Sequence, residues 1–330
     1  MTKRRPERAV ILEPLKSRSD WDAACATYPN ATAFHQYDFL ETVSPPLNCS
    51  FVPLAVFSHG EPAGVAPLLV KKLGPFCTIN WIPFPYLGPL VPRELIPGTL
   101  RALRHEARRR RALNHQQSFS EVVADRRLDG FTAAEDRTFV IPLSGRSDQE
   151  LLAAMHASRR QDIGRAQRAG FEVGAAEIGD FALMDQWLGQ LYAAQNIPPM
   201  YPAGTYARLF QVLKHAPGSI FSAVRHHGQT VAVQIALSTA RSAFGWQLAS
   251  DPAYRSKHPI DLLIWHALLR ARDSGALEYD LVGAPNERIA LYKSRFGATE
   301  RYYTVGQRQA KVHAMAVDLL ARRWPRSRRR

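Results

Sequence analysis

Apolar residues in the second half of the chain recur at helical spacing in four segments. These segments are 147–170, 180–195, 205–216 and 259–275. Ser147 or Asp148 is a suitable N-cap for the first segment, and Gly170 is a suitable stop. Pro259 lies in the first turn of the fourth, where its missing N–H costs no hydrogen bond. The pattern therefore predicts four helices with one apolar face each.

Shorter apolar runs between and after these helices predict strands. The runs are "FEVGAA" at 171–176, "SAFGWQLAS" at 242–250, "LEYDLVG" at 277–283 and "TERYYTVG" at 299–306. The segment "ERIALYKSRFG" at 287–297 predicts a short helix that ends at Gly297. This alternation of strands and helices is typical of an α/β layout with a mixed sheet.

Two segments share a pattern that predicts a β-hairpin. They are "PLAVFSHGEPAGVAPLLV" at 53–70 and "FSAVRHHGQTVAVQIALS" at 221–238, and each carries a His-Gly turn between two apolar runs. Gly60 and Gly228 are 228 − 60 = 168 positions apart, about half the chain. We interpret this as an internal duplication of one α/β unit. The alternative is that two ordinary hairpins share the His-Gly pair by chance.

Length and composition indicate a soluble protein of two domains. The 330 residues exceed one ordinary core, and 46% of them are hydrophobic. No apolar run approaches the roughly 18 residues of a membrane-spanning helix, and Glu13 and Pro14 interrupt the N-terminal run, which argues against a signal peptide. Three cysteines, an odd number without metal-ligand spacing, favour free thiols in a reducing cytoplasm.

The net charge of +14 predicts attraction to nucleic acid, nucleotide-linked substrates or the anionic inner face of a membrane. Basic residues concentrate near the start, in "RALRHEARRRRAL" at 101–113, and at the end. The middle run predicts a helix with a basic outer face. Four of the six residues from Pro325 to the end are Arg, and we expect that end to be mobile. The alternative to an anionic partner is a simple bias towards arginine.

Five strings resemble the Fem family of peptidoglycan bridge-forming aminoacyl-transferases and related acyltransferases of the GNAT superfamily. The strings are "ATAFHQYDFLETV" (31–43), "WIPFPYLGPLVP" (81–92), "SRRQDIGRAQRAGFEV" (158–173), "LLIWHALLRARDSGALEYDLVG" (262–283) and "LYKSRFGA" (291–298). The resemblance implies two tandem GNAT-like domains with mixed, mostly antiparallel sheets. It also implies transfer of an activated acyl or aminoacyl group to an amine of a cell-wall precursor, lipid or other metabolite.

Combined with the hairpin repeat, the resemblance suggests four regions along the chain. These are a basic N-terminal extension (1–19), a first GNAT-like domain (20–145), a second GNAT-like domain (146–305), and a basic C-terminal helix and tail (306–330).

Lys293 is unusual in a chain with eight lysines and thirty-five arginines, which together make 43. The resemblance places the Lys of its K-x-x-F-G string beside the reaction centre, where a compact ammonium would stabilise an oxyanion. On that hypothesis Lys293→Met lowers turnover and leaves folding nearly intact. The alternative is a surface lysine near a helix C-terminus. Asp280 is a candidate to orient the acceptor amine or to take its proton; the alternative is that it caps the backbone locally. Tyr292 is a candidate to line the same pocket; the alternative is an ordinary core aromatic.

An acyl-CoA site of the GNAT type needs a glycine-containing turn between a strand and a helix. The string "QDIGRA" at 161–166 fits the pattern, but it lies inside a predicted helix. The segment with the right position, 250–261, contains no glycine and offers Tyr254 and Arg255, together with Lys257 and His258, for phosphate binding. This favours aminoacyl-tRNA over acyl-CoA as the donor. The alternative is a solvated basic turn.

Other candidates for substrate binding are aromatic or basic. Trp81, Phe84 and Tyr86 lie among prolines in the first half, where the resemblance places acceptor binding; a structural loop packed on the core is the alternative. Arg159 and Trp246 complete the set. The histidines are scattered, so we expect no metal and no resident cofactor. The competing functional class is a catalytically silent GNAT-fold protein that binds an anionic glycan, a membrane surface or nucleic acid.

Overall fold

A computed structural model describes residues 10–82, 84–123 and 127–310. The elements of the first half are β1 (Val10–Pro14), α1 (Arg18–Ala26), α2 (Tyr37–Val43), β2 (Ser50–Ser58), β3 (Glu61–Leu73), β4 (Phe76–Ile79), α3 (Ile96–Arg109), β5 (Ala112–Ser118), β6 (Arg127–Leu128) and β7 (Phe131–Pro142). Those of the second half are α4 (Asp148–Ala154), α5 (Ala157–Arg168), β8 (Glu172–Ala175), α6 (Asp180–Ala194), α7 (Thr205–Leu213), β9 (Ile220–His226), β10 (Gln229–Ser238), β11 (Ser242–Ser250), α8 (Pro259–Asp273), β12 (Glu278–Asp280), α9 (Glu287–Ser294) and β13 (Thr299–Gln309). Short 3-10 helices cover Ala33–His35, Arg93–Leu95 and Pro252–Lys257.

The chain divides into two compact units, and both are discontinuous in sequence. Among the described residues, unit 2 consists of 31–47 and 136–303, and unit 1 consists of the remainder. The division therefore falls within β7 and within β13. The boundary predicted at 145/146 comes just after the end of β7. The predicted N-terminal extension contains β1, which pairs with β2. Of the predicted C-terminal region, the structure describes only the last residues of β13 and residue 310. The predicted mobile end and nearly all of the predicted helix lie outside the described residues.

The two units have the same strand topology. Unit 1 has the order β1-β2-β3-β4-β5-β13, in which the first three pairs are antiparallel, β4 and β5 are parallel, and β13 is antiparallel to β5. Unit 2 has the order β8-β9-β10-β11-β12-β7 with the same sequence of pairings. A helix connects the parallel pair in each unit, α3 in one and α8 in the other. The predicted duplication and the α/β class with mixed, mostly antiparallel sheets are confirmed.

The two predicted hairpins occupy equivalent places in their units. His59 and Gly60 form the turn between β2 and β3, and His227 and Gly228 form the turn between β9 and β10. All four residues have positive φ, with values of 55° and 84° in the first turn and 50° and 77° in the second. Two consecutive residues with positive φ make the tight turn whose twist suits a two-residue hairpin. The shared His-Gly pair thus marks one structural feature that occurs twice.

The helix predicted at 147–170 is two helices, and that prediction was wrong. Met155 and His156 have extended backbone, with ψ of 150° and 145°, and they separate α4 from α5. His156 caps α5, because its Nδ1 accepts a hydrogen bond from the Ser158 N–H at 3.2 Å. Its own N–H donates to the Arg295 carbonyl at 2.8 Å. Apolar periodicity continues through this break, so periodicity alone could not reveal it. Ser147 is the N-cap of α4, as predicted.

Helix α3 has the basic outer face that the sequence predicts. Its Leu100, Leu103 and Ala107 are buried in the core of unit 1. Several of its arginines form ion pairs within the unit: Arg101 and Arg104 with Asp129, and Arg109 and the adjacent Arg110 with Glu106. Part of the basic run therefore stabilises the unit itself.

The early segment 31–47 contributes aromatic core to unit 2. Phe34 and Phe39 lie edge-on to the indole of Trp246, with ring centroids 6.4 and 5.3 Å away. The Gln36 side chain donates a hydrogen bond to the Ser238 carbonyl at 2.8 Å. Aromatic pairs of this kind add to the free energy gained by burying the rings.

Cys25, Cys49 and Cys77 are buried and form no disulfide. Burial raises the pKa of the Cys25 thiol to about 12, and the Asp22 carboxylate raises it further. A thiol of this kind stays protonated and unreactive at neutral pH. Among the helices that the structure describes, none has the length and apolar character required to cross a bilayer.

Gly64→Ala should destabilise unit 1 much more than Gly60→Ala. Both glycines have positive φ, so alanine is strained at either position. A Cβ on Gly60 would meet nothing within 4 Å, whereas a Cβ on Gly64 would lie 2.0 Å from the Leu90 carbonyl oxygen. We expect a loss of about 1 kcal/mol at Gly60 and about 3 kcal/mol at Gly64, measured by urea denaturation. Equal losses would show that the close approach of Leu90 to β3 is not a constraint.

Candidate functional site

A cavity of about 650 Å³ lies in unit 2, beside the segment that connects β11 to α8. The apolar lining residues include Trp187, Leu188, Leu191, Leu248, Ile260 and Ile289. The polar lining residues are Arg159, Ser250, Arg255, His258, Asp261, Arg288 and Tyr292. Four residues predicted from sequence therefore lie around one cavity: Arg159, Arg255, His258 and Tyr292. It is large enough for a small organic ligand.

The Asp261 carboxylate, in the first turn of α8, binds side chains from two other helices. Arg159 of α5 donates to its two oxygens at 2.8 and 2.9 Å, and the Tyr292 hydroxyl of α9 donates at 2.6 Å. The Arg159 guanidinium also lies 5.1 Å from the centre of the Tyr292 ring. Because Asp261 is buried, a charged partner with several donors is needed to offset its loss of hydration. Asp261 thus connects three helices at the wall of the cavity.

A second buried carboxylate, Asp162, completes this network. It pairs with Arg159 at 2.7 Å and lies 3.4 Å from Nε2 of His258, whose Nδ1 is 3.3 Å from Asp261. The Asp162, His258 and Asp261 ligand atoms are close enough to hold a metal ion. However, the Arg159 guanidinium already donates to both carboxylates, and its charge would repel a divalent cation. The donor set therefore does not fit a metal.

Burial shapes the titration of this network. It raises the pKa of Asp261, while the Tyr292 hydroxyl, Arg159 and His258 oppose that shift. Burial and the neighbouring Asp261 carboxylate raise the pKa of Tyr292 well above its usual range. Tyr292 is consequently a neutral hydrogen-bond donor at physiological pH, and Asp261 is the acceptor.

The segment between β11 and α8 forms a 3-10 helix, Pro252–Lys257, and ends at the N-terminus of α8. Asp251 caps it by accepting from the Ala253 N–H at 2.8 Å. Among the described residues, neither Arg255 nor Arg288 forms an ion pair, and both lie at the cavity. Unpaired guanidinium groups beside a helix N-terminus are suited to bind phosphate or another anion. The competing glycine pattern at 161–166 lies inside α5, as predicted.

Lys293 holds the turn that follows β12. Its ammonium donates to the Leu281 carbonyl at 2.5 Å, to the Val282 carbonyl at 2.8 Å and to the Gly283 carbonyl. An ammonium has three N–H bonds, so all of them are used here. Burial lowers the pKa of Lys293 to about 8, and the Asp280 carboxylate opposes this shift. In this geometry Lys293 fixes the backbone of the turn after β12. Its ammonium can donate to a substrate oxyanion only if it gives up one of these three hydrogen bonds.

Asp280 fixes the same turn from the other side. Its carboxylate accepts hydrogen bonds from the Thr138 hydroxyl and from the Val282 N–H, the latter at 2.7 Å. Thr138 also accepts from the Gly283 N–H at 3.1 Å. Val282 and Gly283 have positive φ, 55° and 68°, so these contacts maintain a backbone that a non-glycine residue rarely adopts. Asp280 therefore makes the local capping contacts that the sequence offered as its alternative role.

Two further sequence candidates in unit 2, Trp246 and Tyr254, do not line the cavity. Trp246 is buried against aromatic rings, including Tyr201 at 5.2 Å. Tyr254 packs on Phe171, and its ring lies 5.4 Å from the Lys257 ammonium. Both side chains support the walls of unit 2.

Trp81, Phe84 and Tyr86 belong to unit 1. Phe84 and Tyr86 are only 3% and 1% exposed, so they are core residues of that unit. Trp81 is 39% exposed and is the only one of the three that offers a surface. This burial matches the alternative in which the proline-rich segment is a structural loop.

Sequence reasoning missed four residues of the site: Asp162, Trp187, Asp261 and Arg288. Asp261 is in the segment singled out for phosphate binding, two positions after Pro259, but its role depends on Arg159, about a hundred positions away. Asp162 lies within the misleading glycine pattern. The available signal was the charge of Asp261 in an otherwise apolar first turn of a helix. A charged residue at a buried position needs a partner of opposite charge.

Comparisons with known proteins agree with this geometry. A family model described as an acetyltransferase (GNAT) domain matches residues 157–294, which include all of the residues that line the cavity. No curated protein matches the sequence significantly. Among solved structures, FemX is 14% identical with a TM-score of 0.71, covering 93% of this chain and 99% of FemX.

Two further solved structures are similar. L-PGS from Bacillus licheniformis is 12% identical, with a TM-score of 0.59 and coverage of 93% of this chain and 96% of that one. A tandem GNAT protein from the clavulanic acid biosynthesis pathway is 13% identical, with a TM-score of 0.55 and coverage of 91% and 98%. At these identities the similarity concerns the fold. It confirms the predicted resemblance to Fem and tandem GNAT proteins.

Lys293→Met should destabilise the protein, in contrast to the expectation from sequence. The substitution leaves three carbonyl oxygens without their charged donor, and we expect the free energy of unfolding to fall by about 2–4 kcal/mol. Lys257→Met is the matched control, since Lys257 is exposed, and should change it by less than about 1 kcal/mol. Chemical denaturation of both variants measures the difference. An unchanged midpoint for Lys293→Met would mean that the carbonyl contacts contribute nothing to stability.

Proposed function

We propose that the protein is an acyltransferase that moves an activated acyl or aminoacyl group onto the amine of a cell-wall precursor, a lipid or another metabolite. The observation that carries the proposal is the cavity at the N-terminus of α8, within the segment that matches the GNAT family model. Its lining includes Arg255 and Arg288, which form no ion pair with any described residue and can bind an anionic donor, and apolar side chains that leave room for an organic group. The catalytically silent alternative has no observation in its favour.

In the proposed complex, the donor's phosphate groups lie against Arg255 and Arg288. The positive end of the α8 dipole adds to the attraction, because the first N–H groups of a helix carry partial positive charge. The transferred group and the adjoining part of the donor lie against the apolar side chains, which include Trp187 and Ile289. Asp261, Arg159 and Tyr292 keep this wall in place.

The proposed reaction is attack by an amine nitrogen on the carbonyl carbon of the donor. A C–N bond forms, and the C–O bond of an ester or the C–S bond of a thioester breaks. The amine loses a proton and the leaving group gains one. Negative charge develops on the carbonyl oxygen, and a nearby ammonium stabilises it.

We propose two roles for Lys293 in this reaction. It shapes the turn after β12, and its charge acts on the oxyanion, with direct contact if the oxyanion replaces one carbonyl. Asp280 positions the same turn. The ring of Tyr292 contacts the donor, while its neutral hydroxyl stays hydrogen-bonded to Asp261.

For the donor, we favour aminoacyl-tRNA over acyl-CoA. The segment 250–261 contains no glycine that would let its backbone enclose a pyrophosphate, and the net charge of +14 suits a nucleic acid. Peripheral contact with an anionic membrane would follow from the same charge. A mass-spectrometric screen of the pure protein, with aminoacyl-tRNA and acyl-CoA pools against amine acceptors, tests both the reaction and the donor. The absence of any transferred product with either pool would contradict the proposal.

Arg255→Gln and Arg288→Gln should each raise the KM for the donor by roughly tenfold, because each removes one charge-assisted hydrogen bond to phosphate. Turnover at saturating donor should change little, since this binding is the same in the ground state and the transition state. Arg241→Gln, which removes an exposed charge elsewhere in unit 2, is the control. If steady-state kinetics gave the same KM for all three variants, the proposal that the donor binds in this cavity would be wrong.

Acetyl-CoA should not bind tightly through residues 161–166. Gly164 lies in the middle of α5, whose backbone N–H groups are used within the helix. Calorimetry should therefore give no micromolar dissociation constant that depends on Gln161 or Gly164. Tight binding that Gly164→Ala abolishes would place the phosphate site in α5.

A further inference from the structure

Unit 2 contains a second cavity of about 390 Å³, which shares no lining residue with the first. It lies where β8 ends and β9 begins, between α7 and α8. Phe210 lies on α7 and Lys214 is the C-cap residue of that helix, and His266 and Arg270 lie on α8. Each pair is four residues apart, so each pair presents both side chains on the same helix face.

The charge of this cavity is positive and unbalanced. Lys214, His266 and Arg270 line it, and no acidic side chain does. Within the part of the chain that the structure describes, neither Lys214 nor Arg270 forms an ion pair. The acidic residues that follow β8, Glu177 and Asp180, pair with Arg225 instead. Cations held together without a counter-charge favour an anion from solution.

Neutral hydrogen-bonding groups lie between the cations. Ser222 on β9 is buried, and its hydroxyl oxygen is 3.4 Å from Nδ1 of His266. Burial and the neighbouring Arg270 lower the pKa of His266, so its ring is neutral at pH 7. A hydroxyl and an imidazole beside two fixed cations can satisfy several oxygens of one oxyanion.

The cavity also has an apolar side. Ile220 and Phe221 contribute to it, and the Phe210 ring lies 5.6 Å from the Lys214 ammonium. The volume exceeds what a single inorganic ion requires. A ligand with an anionic end and an apolar or aromatic body therefore matches this cavity better than a bare ion.

We propose that this second cavity binds a small phosphate monoester, with the phosphate between Lys214, His266 and Arg270 and the organic part against Phe210. The site is independent of the acyl transfer proposed above, and neither depends on the other. Binding there would make the protein responsive to a phosphorylated small molecule.

Phenyl phosphate is the probe, and the imidazole proton signals of His266 are the reporter. These signals are assigned as those missing from the spectrum of His266→Gln. Titration of the full chain should shift them with a dissociation constant of about 1 mM or lower. Phenol should not shift them, and inorganic phosphate should bind more weakly than phenyl phosphate because it lacks contact with the apolar side.

Arg270→Gln and Lys214→Gln should each weaken phenyl phosphate binding by roughly tenfold. Both side chains are exposed, so folding should be unaffected. Arg241→Gln removes the same charge outside the cavity and should stay within about twofold of the unsubstituted protein. The proposal is overturned if the His266 signals do not respond, if phenol shifts them as phenyl phosphate does, or if the three charge variants bind equally.

Discussion

The buried carboxylate of Asp261 is the constraint on which the arrangement of unit 2 around its main cavity depends. It accepts from Arg159 and Tyr292, so one side chain ties α5 and α9 to the start of α8. Removing one member of such a pair leaves an uncompensated charge, which typically costs about 3–5 kcal/mol. The same contacts fix the guanidinium and the phenol that form the cavity wall. Stability and the shape of the candidate site are therefore coupled through one ionised group.

Most of the fold follows from local patterns in the sequence. The two His-Gly hairpins and the helices α6, α7 and α8 depend on side-chain periodicity and on glycine or proline at their ends, and such signals are local. The break between α4 and α5 has a different origin. It depends on the cap that His156 forms with Ser158 and on a hydrogen bond to the Arg295 carbonyl, and the second partner is distant in sequence.

The candidate site was predictable only in part. Arg255 could be proposed because its position between a strand and a helix suggests anion binding, and Arg159 and Tyr292 were also among the candidates. Their partner Asp261 could not be paired with them, since the sequence does not show which carboxylate faces which guanidinium. Lys293 shows the opposite case: its unusual residue type was visible, but its three carbonyl partners belong to a turn whose conformation depends on Asp280 and Thr138. The composition of the chain therefore singled out Lys293, but only the structure shows that its ammonium binds three backbone carbonyls.

The interleaved segments of the two units have a consequence for how this chain can be made. Gln36 and Ser238, which are hydrogen-bonded in unit 2, are 202 positions apart in sequence. During synthesis, the aromatic side chains of 31–47 leave the ribosome long before the strands they pack on exist. Contacts between residues so far apart in sequence slow folding, and the apolar groups that they bury stay exposed until they form. Neither half of the gene encodes a complete unit: a truncation at the midpoint would separate β5 from the segment of β13 that pairs with it, and would separate the strands of unit 2 from the aromatic residues of 31–47.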